Sequence, residues 1–199
     1  ARCRKCNTFI PWQYPVIELT IIALVVFHFW RYTNGVWISD TALGTDVLWL
    51  WIARDVVFSI FLLIVFVYDM KFSLILDNYS MPAAVVALVL NFLLGFDIWS
   101  MIAGMAVLFC FFFIQYALSG GRLLGGGDLR MGLIMGAMLG FGGGVVALLL
   151  AYVMGAIVGS ALLLSGRHTL KDRVPFGTFL SVAVFIMLVW GPELLGLLI

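Results

Sequence analysis

The chain has 199 residues, a net charge of +1, 64% hydrophobic and only 11% charged residues, and a mean hydropathy of +1.18. That is too little polar material to cover a water-soluble surface of this size. The near-neutral charge and the sparse histidines also exclude a basic nucleic-acid face and a haem bundle, so no nucleic-acid partner is expected.

Apolar stretches long enough to cross roughly 30 Å of hydrocarbon recur along nearly the whole chain. They predict an all-α fold, a polytopic transmembrane helical bundle of about seven helices in contact with membrane lipid. Residues 1–13 read as a cytoplasmic N-terminal remnant with one C-x-x-C pair, Cys3 and Cys6, and residues 14–199 as one membrane-embedded domain. The opening at Ala1, inside a basic cysteine-containing segment, implies an upstream portion. No signal-peptide pattern with a cleavage site is visible. The two cysteines have the spacing of half a tetrathiolate zinc site; zinc would require about four ligands, hence a second pair. Cys110, in an apolar run, reads as packing.

The expected helices are 14–31, 46–69, 81–96, 98–119, 128–141, 143–166 and 177–198. Between them lie Asn34-Gly35, Asp77 to Ser80 ahead of Pro82, Ser119-Gly120-Gly121, Gly142-Gly143-Gly144 and the polar run Ser165 to Arg173. Placing the N-terminus in the cytoplasm puts nine basic residues on that side (Arg2, Arg4, Lys5, Lys71, Arg122, Arg130, Arg167, Lys171, Arg173) against Arg31 alone outside. Trp30, Trp37, Trp49, Trp51 and Trp99 then fall near outer helix ends, as belt residues do. Arg54 falls inside the second helix, with Asp55 beside it as a neutralising partner; Glu18 is a structural charge, either paired with Arg54 or at the interface. His28 and His168 do not read as ligands.

The same alternation brings Asp69, Asp77 and Asp128 to one membrane boundary. A boundary carboxylate can be a plain interface anchor. Asp128, however, follows Gly125-Gly126-Gly127, a run that tolerates dihedrals and close backbone approach denied to other residues. Two carboxylates brought together share a proton, so one can act as base on a water while the other polarises a peptide carbonyl. This is aspartic-protease chemistry, with Asp69 and Asp128 as the expected catalytic pair. Gly132, Gly136 and Gly140 recur at every fourth residue and predict a tightly packed helix face, and Met131, Met135 and Met138 read as core.

In order along the chain, Cys3-Arg4-Lys5-Cys6, Tyr14-Pro15-Val16-Ile17-Glu18, Asp69, Asp77, Gly125-Gly126-Gly127-Asp128, Arg130 and Pro175-Phe176-Gly177 resemble the motifs of the type IV prepilin peptidases, which are membrane aspartyl proteases with a Gly-x-Gly-Asp motif. Leu76 stands where that family usually has Pro, and Arg130 where it commonly has Lys. The resemblance implies removal of a basic leader from prepilins or pseudopilins at the cytoplasmic face of the bacterial inner membrane, with no cofactor for proteolysis. It gives supporting positions to Gly125, Gly127, Asp77, Arg130, Pro175, Phe176 and Gly177. Asp77 is read either as a contact for basic leader residues or as a loop anchor. Many members of the family also methylate the new N-terminus with S-adenosylmethionine, and carry for it a further helix and a second cysteine pair. Neither is visible here, which leaves methylation open.

Two other readings compete. Tyr68-Asp69 with Gly-x-Gly-Asp fits a presenilin or signal-peptide-peptidase type of protease, although no Pro-Ala-Leu follows in the last third. A small membrane transporter would use Glu18, Arg54 and Asp55 as its pathway.

Overall fold

The structure, a computed structural model, describes residues 11–34, 45–73, 77–121, 124–165 and 175–198; for Asp77 it gives only a place in a helix. Six helices are present among the described residues: α1 (Gln13–Thr33), α2 (Thr45–Phe72), α3 (Asp77–Leu93), α4 (Ile98–Ser119), α5 (Gly126–Leu164) and α6 (Phe176–Leu198). There is no strand among the described residues. All except α3 are long and apolar enough to cross a membrane, which makes this a polytopic helical membrane protein. The chain forms two compact units, Ala1–Ile60 and Phe61–Ile199.

The first unit holds a polar core between α1 and α2. Asp55 accepts a hydrogen bond from Tyr32 Oη at 2.7 Å. It is also ion-paired with Arg54 at 3.2 Å and Arg31 at 3.5 Å. Beside it, fully buried His28 shares a 2.8 Å hydrogen bond with Ser59. In hydrocarbon such groups persist only when they satisfy one another. Arg54 therefore pairs with its neighbour Asp55, while Glu18 is exposed on α1 and takes no part.

In the second unit α5 is central, packing on α3, α4 and α6. Six helices stand where seven were expected, because the segments read as 128–141 and 143–166 form one 39-residue element. The break falls at Gly140 rather than at Gly142-Gly143-Gly144 and needs a single residue. Gly140 adopts φ 70°, ψ −170°, a conformation essentially confined to glycine. Packing shows what that residue does. A Cβ added to Gly144 would lie 3.8 Å from the Met135 carbonyl oxygen, whereas a straight helix would separate those positions by about 13 Å. Leu108 of α4 faces both Gly132 and Gly144. The two arms of α5 thus fold back on each other as a hairpin.

Polar groups freed by the break find partners on other helices. Buried Asn91 of α3 donates from Nδ2 to the carbonyls of Ala137 at 2.7 Å and Met138 at 3.0 Å, at the end of the first arm. Ser100 Oγ of α4 accepts from the Phe141 N–H at 3.2 Å, at the start of the second. Away from water this compensation is obligatory. Close approach completes the packing: the backbone of Met105 and Gly104 occupies the space where a Gly136 side chain would go, and a Cβ on Gly104 would come within 2.7 Å of the Gly140 carbonyl carbon. Met131, Met135 and Met138 are buried core, as their spacing predicts. Cys110 instead lies on the exposed face of α4, so it does not pack in the core. Trp30, Trp49 and Trp99 are all more than half exposed, as residues facing lipid or interface should be. Trp37 lies outside the described residues.

Candidate active site

Asp69 stands in the last turn of α2, three positions before Phe72, and is only 5% exposed. A carboxylate there must find donors outside its own helix, since the last turn offers carbonyls rather than N–H groups. The start of α6 supplies them. The Thr178 N–H donates to Asp69 Oδ2 at 2.8 Å, and the Gly177 N–H gives the same carboxylate a second backbone hydrogen bond. Both amides belong to the first turn of α6, where N–H groups have no intrahelical acceptor. Pro175 opens that turn, and its carbonyl accepts from Thr178 Oγ1 at 2.6 Å.

Asp128 lies at the third position of α5, 8% exposed. Its Oδ2 accepts from the Gly125 N–H at 3.1 Å while its own N–H donates to the Gly125 carbonyl at 3.2 Å. The side chain thereby caps the helix it opens. The glycine run does less than its sequence promised. Gly125 has φ −81°, which any residue adopts, and a Cβ on Gly126 would meet nothing within 4 Å. Close backbone approach is required further along, at Gly136.

The two carboxylates, distant in sequence, are within electrostatic reach of one another. Both are sheltered from solvent, and each is held through Oδ2 by backbone N–H groups. Two carboxyl groups brought close together in a poorly solvated site can hold one proton between them, the condition for activating a water against a peptide carbonyl.

Aromatic side chains frame this pair. Phe176, the first residue of α6, meets Tyr152 of the second α5 arm edge-on at 4.9 Å between centroids and Phe112 of α4 at 6.4 Å. Tyr152 Oη donates to Gln115 Oε1 at 2.9 Å, and Tyr152 is itself within the field of Asp128. Next to Thr178 an apolar cavity of about 290 Å³ opens between Phe66, Met154, Ile157, Val158, Phe179 and Val182.

Of the residues singled out in the sequence, Asp69 thus meets the Pro175-Phe176-Gly177 entry of α6, Asp128 meets Gly125, and Asp69 acts electrostatically on Asp128; Gly127 precedes Asp128 in the first turn of α5 and Arg130 follows it by two residues. The side chain of Asp77 and all of Cys3 and Cys6 lie outside the described residues. Among the described residues no cluster of three or more His, Cys, Asp or Glu could hold a metal. Sequence reading missed Thr178, Tyr152, Gln115 and Asn91. A usable signal existed for the last two: an amide inside an otherwise apolar span must be paired and is seldom idle. Thr178 acts through its backbone, to which sequence is blind.

The sequence profile described as the Type IV leader peptidase family matches residues 56–160, and that of the bacterial peptidase A24 N-terminal domain matches residues 1–32. A protein of Aeromonas salmonicida named prepilin leader peptidase/N-methyltransferase is 30% identical over 97% of this chain and 63% of its own length. Proteins of the same name from Aeromonas hydrophila and Pseudomonas putida are 29% and 26% identical over 97% of this chain, and over 63% and 64% of their own lengths. The chain therefore spans a little under two thirds of these relatives. No solved structure matches it.

Proposed function

The chain belongs to the type IV leader peptidase family, and from that premise we propose that it is an aspartic endopeptidase removing the basic leader from type IV prepilins or pseudopilins. Asp69 and Asp128 are its catalytic carboxylates. The observation that carries the reading is their arrangement: two buried acids from different helices of the second unit, each oriented by backbone N–H groups, with Asp69 close enough to act electrostatically on Asp128. One carboxylate accepts a proton from water as that water attacks the scissile carbonyl, while the other, protonated, gives its proton to the carbonyl oxygen; as the resulting gem-diol collapses, the first carboxyl hands the water-derived proton to the leaving nitrogen and the second takes one back from a gem-diol hydroxyl.

The relatives' printed names support the substrate class. The excess of Lys and Arg on one set of loops supports an active site facing the cytoplasm from the inner membrane. A precursor anchored by an apolar stem would present its leader junction at that level. Asp77, Gly127 and Arg130 are supporting positions of the same site. The relatives' names also include N-methyltransferase; that activity, with S-adenosylmethionine and any zinc on Cys3 and Cys6, is a separate question.

The test is incubation of the detergent-solubilised protein with a precursor carrying a basic leader ahead of an apolar helix. Leader loss that vanishes in both Asp69→Asn and Asp128→Asn is expected. Full cleavage by either variant would overturn the assignment. The transporter reading loses its motivation here, because Glu18 is exposed and apart from the Arg54–Asp55 pair.

A further inference from the structure

We infer that Tyr152 is a positioning residue for the carboxylate pair, acting through Phe176 on the amides that hold Asp69; this rests on the peptidase reading. Four observations meet on this side chain. The hairpin at Gly140 returns the second arm of α5 alongside the first, bringing Tyr152 into the field of Asp128; in a straight helix the two would be about 36 Å apart. Its hydroxyl donates to Gln115 Oε1 on α4 at 2.9 Å. Its ring lies edge-on against Phe176 at 4.9 Å and against Phe111 at 5.9 Å. Immediately after Phe176 come Gly177 and Thr178, whose N–H groups bind Asp69.

Gly177 has no side chain, and the Thr178 hydroxyl turns back onto the Pro175 carbonyl within the same turn. Phe176 opens that turn, and Tyr152 and Phe112 pack against its ring. A phenol in a membrane span must pair its hydroxyl; by pairing with Gln115 it also fixes the rotation of the ring that Phe176 meets. A connected path therefore runs from α4 through α5 to α6 and ends on Asp69. Tyr152 and Gln115 are hydrogen-bonded to each other and Asp69 to the amides of α6, so the effect is transmitted by placing Phe176, and a misplacement of about 1 Å in such a site is worth up to two orders of magnitude in rate.

Cleavage kinetics on the same precursor test this. Tyr152→Ala is expected to lower kcat by about 10- to 100-fold with KM within about twofold. Tyr152→Phe keeps the ring but loses the bond to Gln115 that fixes its rotation, so its loss of kcat should be smaller than that of Tyr152→Ala, and Leu149→Ala, an exposed position on the same arm, should be silent. In a Thr178→Pro background, which already lacks one amide, adding Tyr152→Ala should cost less than about threefold, because both changes remove one effect. Tyr152→Leu fills the site without a flat ring edge and serves if the alanine variant does not give a monodisperse protein. Wild-type kcat in folded Tyr152→Ala or Tyr152→Leu, or fully multiplicative losses in the double variant, would overturn the inference. Absence of cleavage by the wild type would instead sink the peptidase reading.

Discussion

Thr178 donates its backbone N–H to Asp69 Oδ2 across 2.8 Å, joining the first turn of α6 to the last turn of α2. Proline tests this bond directly, because a residue in the first turn of a helix has no intrahelical acceptor for its N–H and the ring is tolerated there. Thr178→Pro should keep the fold and lower kcat by about 100-fold, the lower end of the range found when one oriented donor is removed from an active site. Thr178→Val keeps the N–H and loses only the hydroxyl bond to Pro175, so it should cost far less. Cleavage rates of the two variants, normalised to monodisperse protein, decide the matter; equal rates would refute the role of the amide.

Asn91 is the partner of two carbonyls left by the break in α5. Asn91→Leu keeps most of the volume and leaves Ala137 and Met138 without that donor, at a cost of about 1–3 kcal/mol for the buried group. A lowered melting temperature in detergent is expected, together with retained cleavage at low temperature. Gly140→Ala should be at least as damaging, since its φ of 70° lies where a side chain is strained.

Gly136 and Gly126 should behave oppositely although both are helical glycines near Asp128. Gly136→Ala forces a methyl into the backbone of Met105 and Gly104, so the α4–α5 contact must open, at about 1–3 kcal/mol or more. Gly126→Ala meets open space and should be neutral or stabilising by about 0.5–1 kcal/mol. Thermal melts of both proteins check the contrast.

Asp55 holds two guanidinium groups in the first unit. Asp55→Asn nearly preserves shape but removes the negative charge, and breaking a buried pair from one side costs about 3–5 kcal/mol. Loss of stability or of expressed protein is expected, and an unchanged melting temperature would show that the cluster is better compensated than its geometry indicates.

Much of this was legible before any coordinates. Apolar runs fix the helices because hydrocarbon forces every backbone group into an intrahelical bond. The acids Asp69 and Asp128 stood out because each ends or opens such a run. The break in α5 was legible as a glycine cluster, but its location was not: Gly140 and Gly142 are equally permissive in isolation, and only the facing Ser100, Gly104 and Asn91 select the first. Gly125 and Gly126 ahead of Asp128 offer a freedom they do not use, while Gly136, where backbone of α4 fills the place of a side chain, resembles an ordinary packing motif in sequence.

The sequence by itself determined a membrane-spanning helical chain and the two acidic residues, because burial and charge are properties of residue types counted along a strand. Which donors orient those acids, and that Tyr152 and Phe176 stand behind them, was decided only by tertiary structure. Backbone amides and ring edges carry no letter of their own, and they become ligands or supports only when separate helices are brought within hydrogen-bond or contact distance.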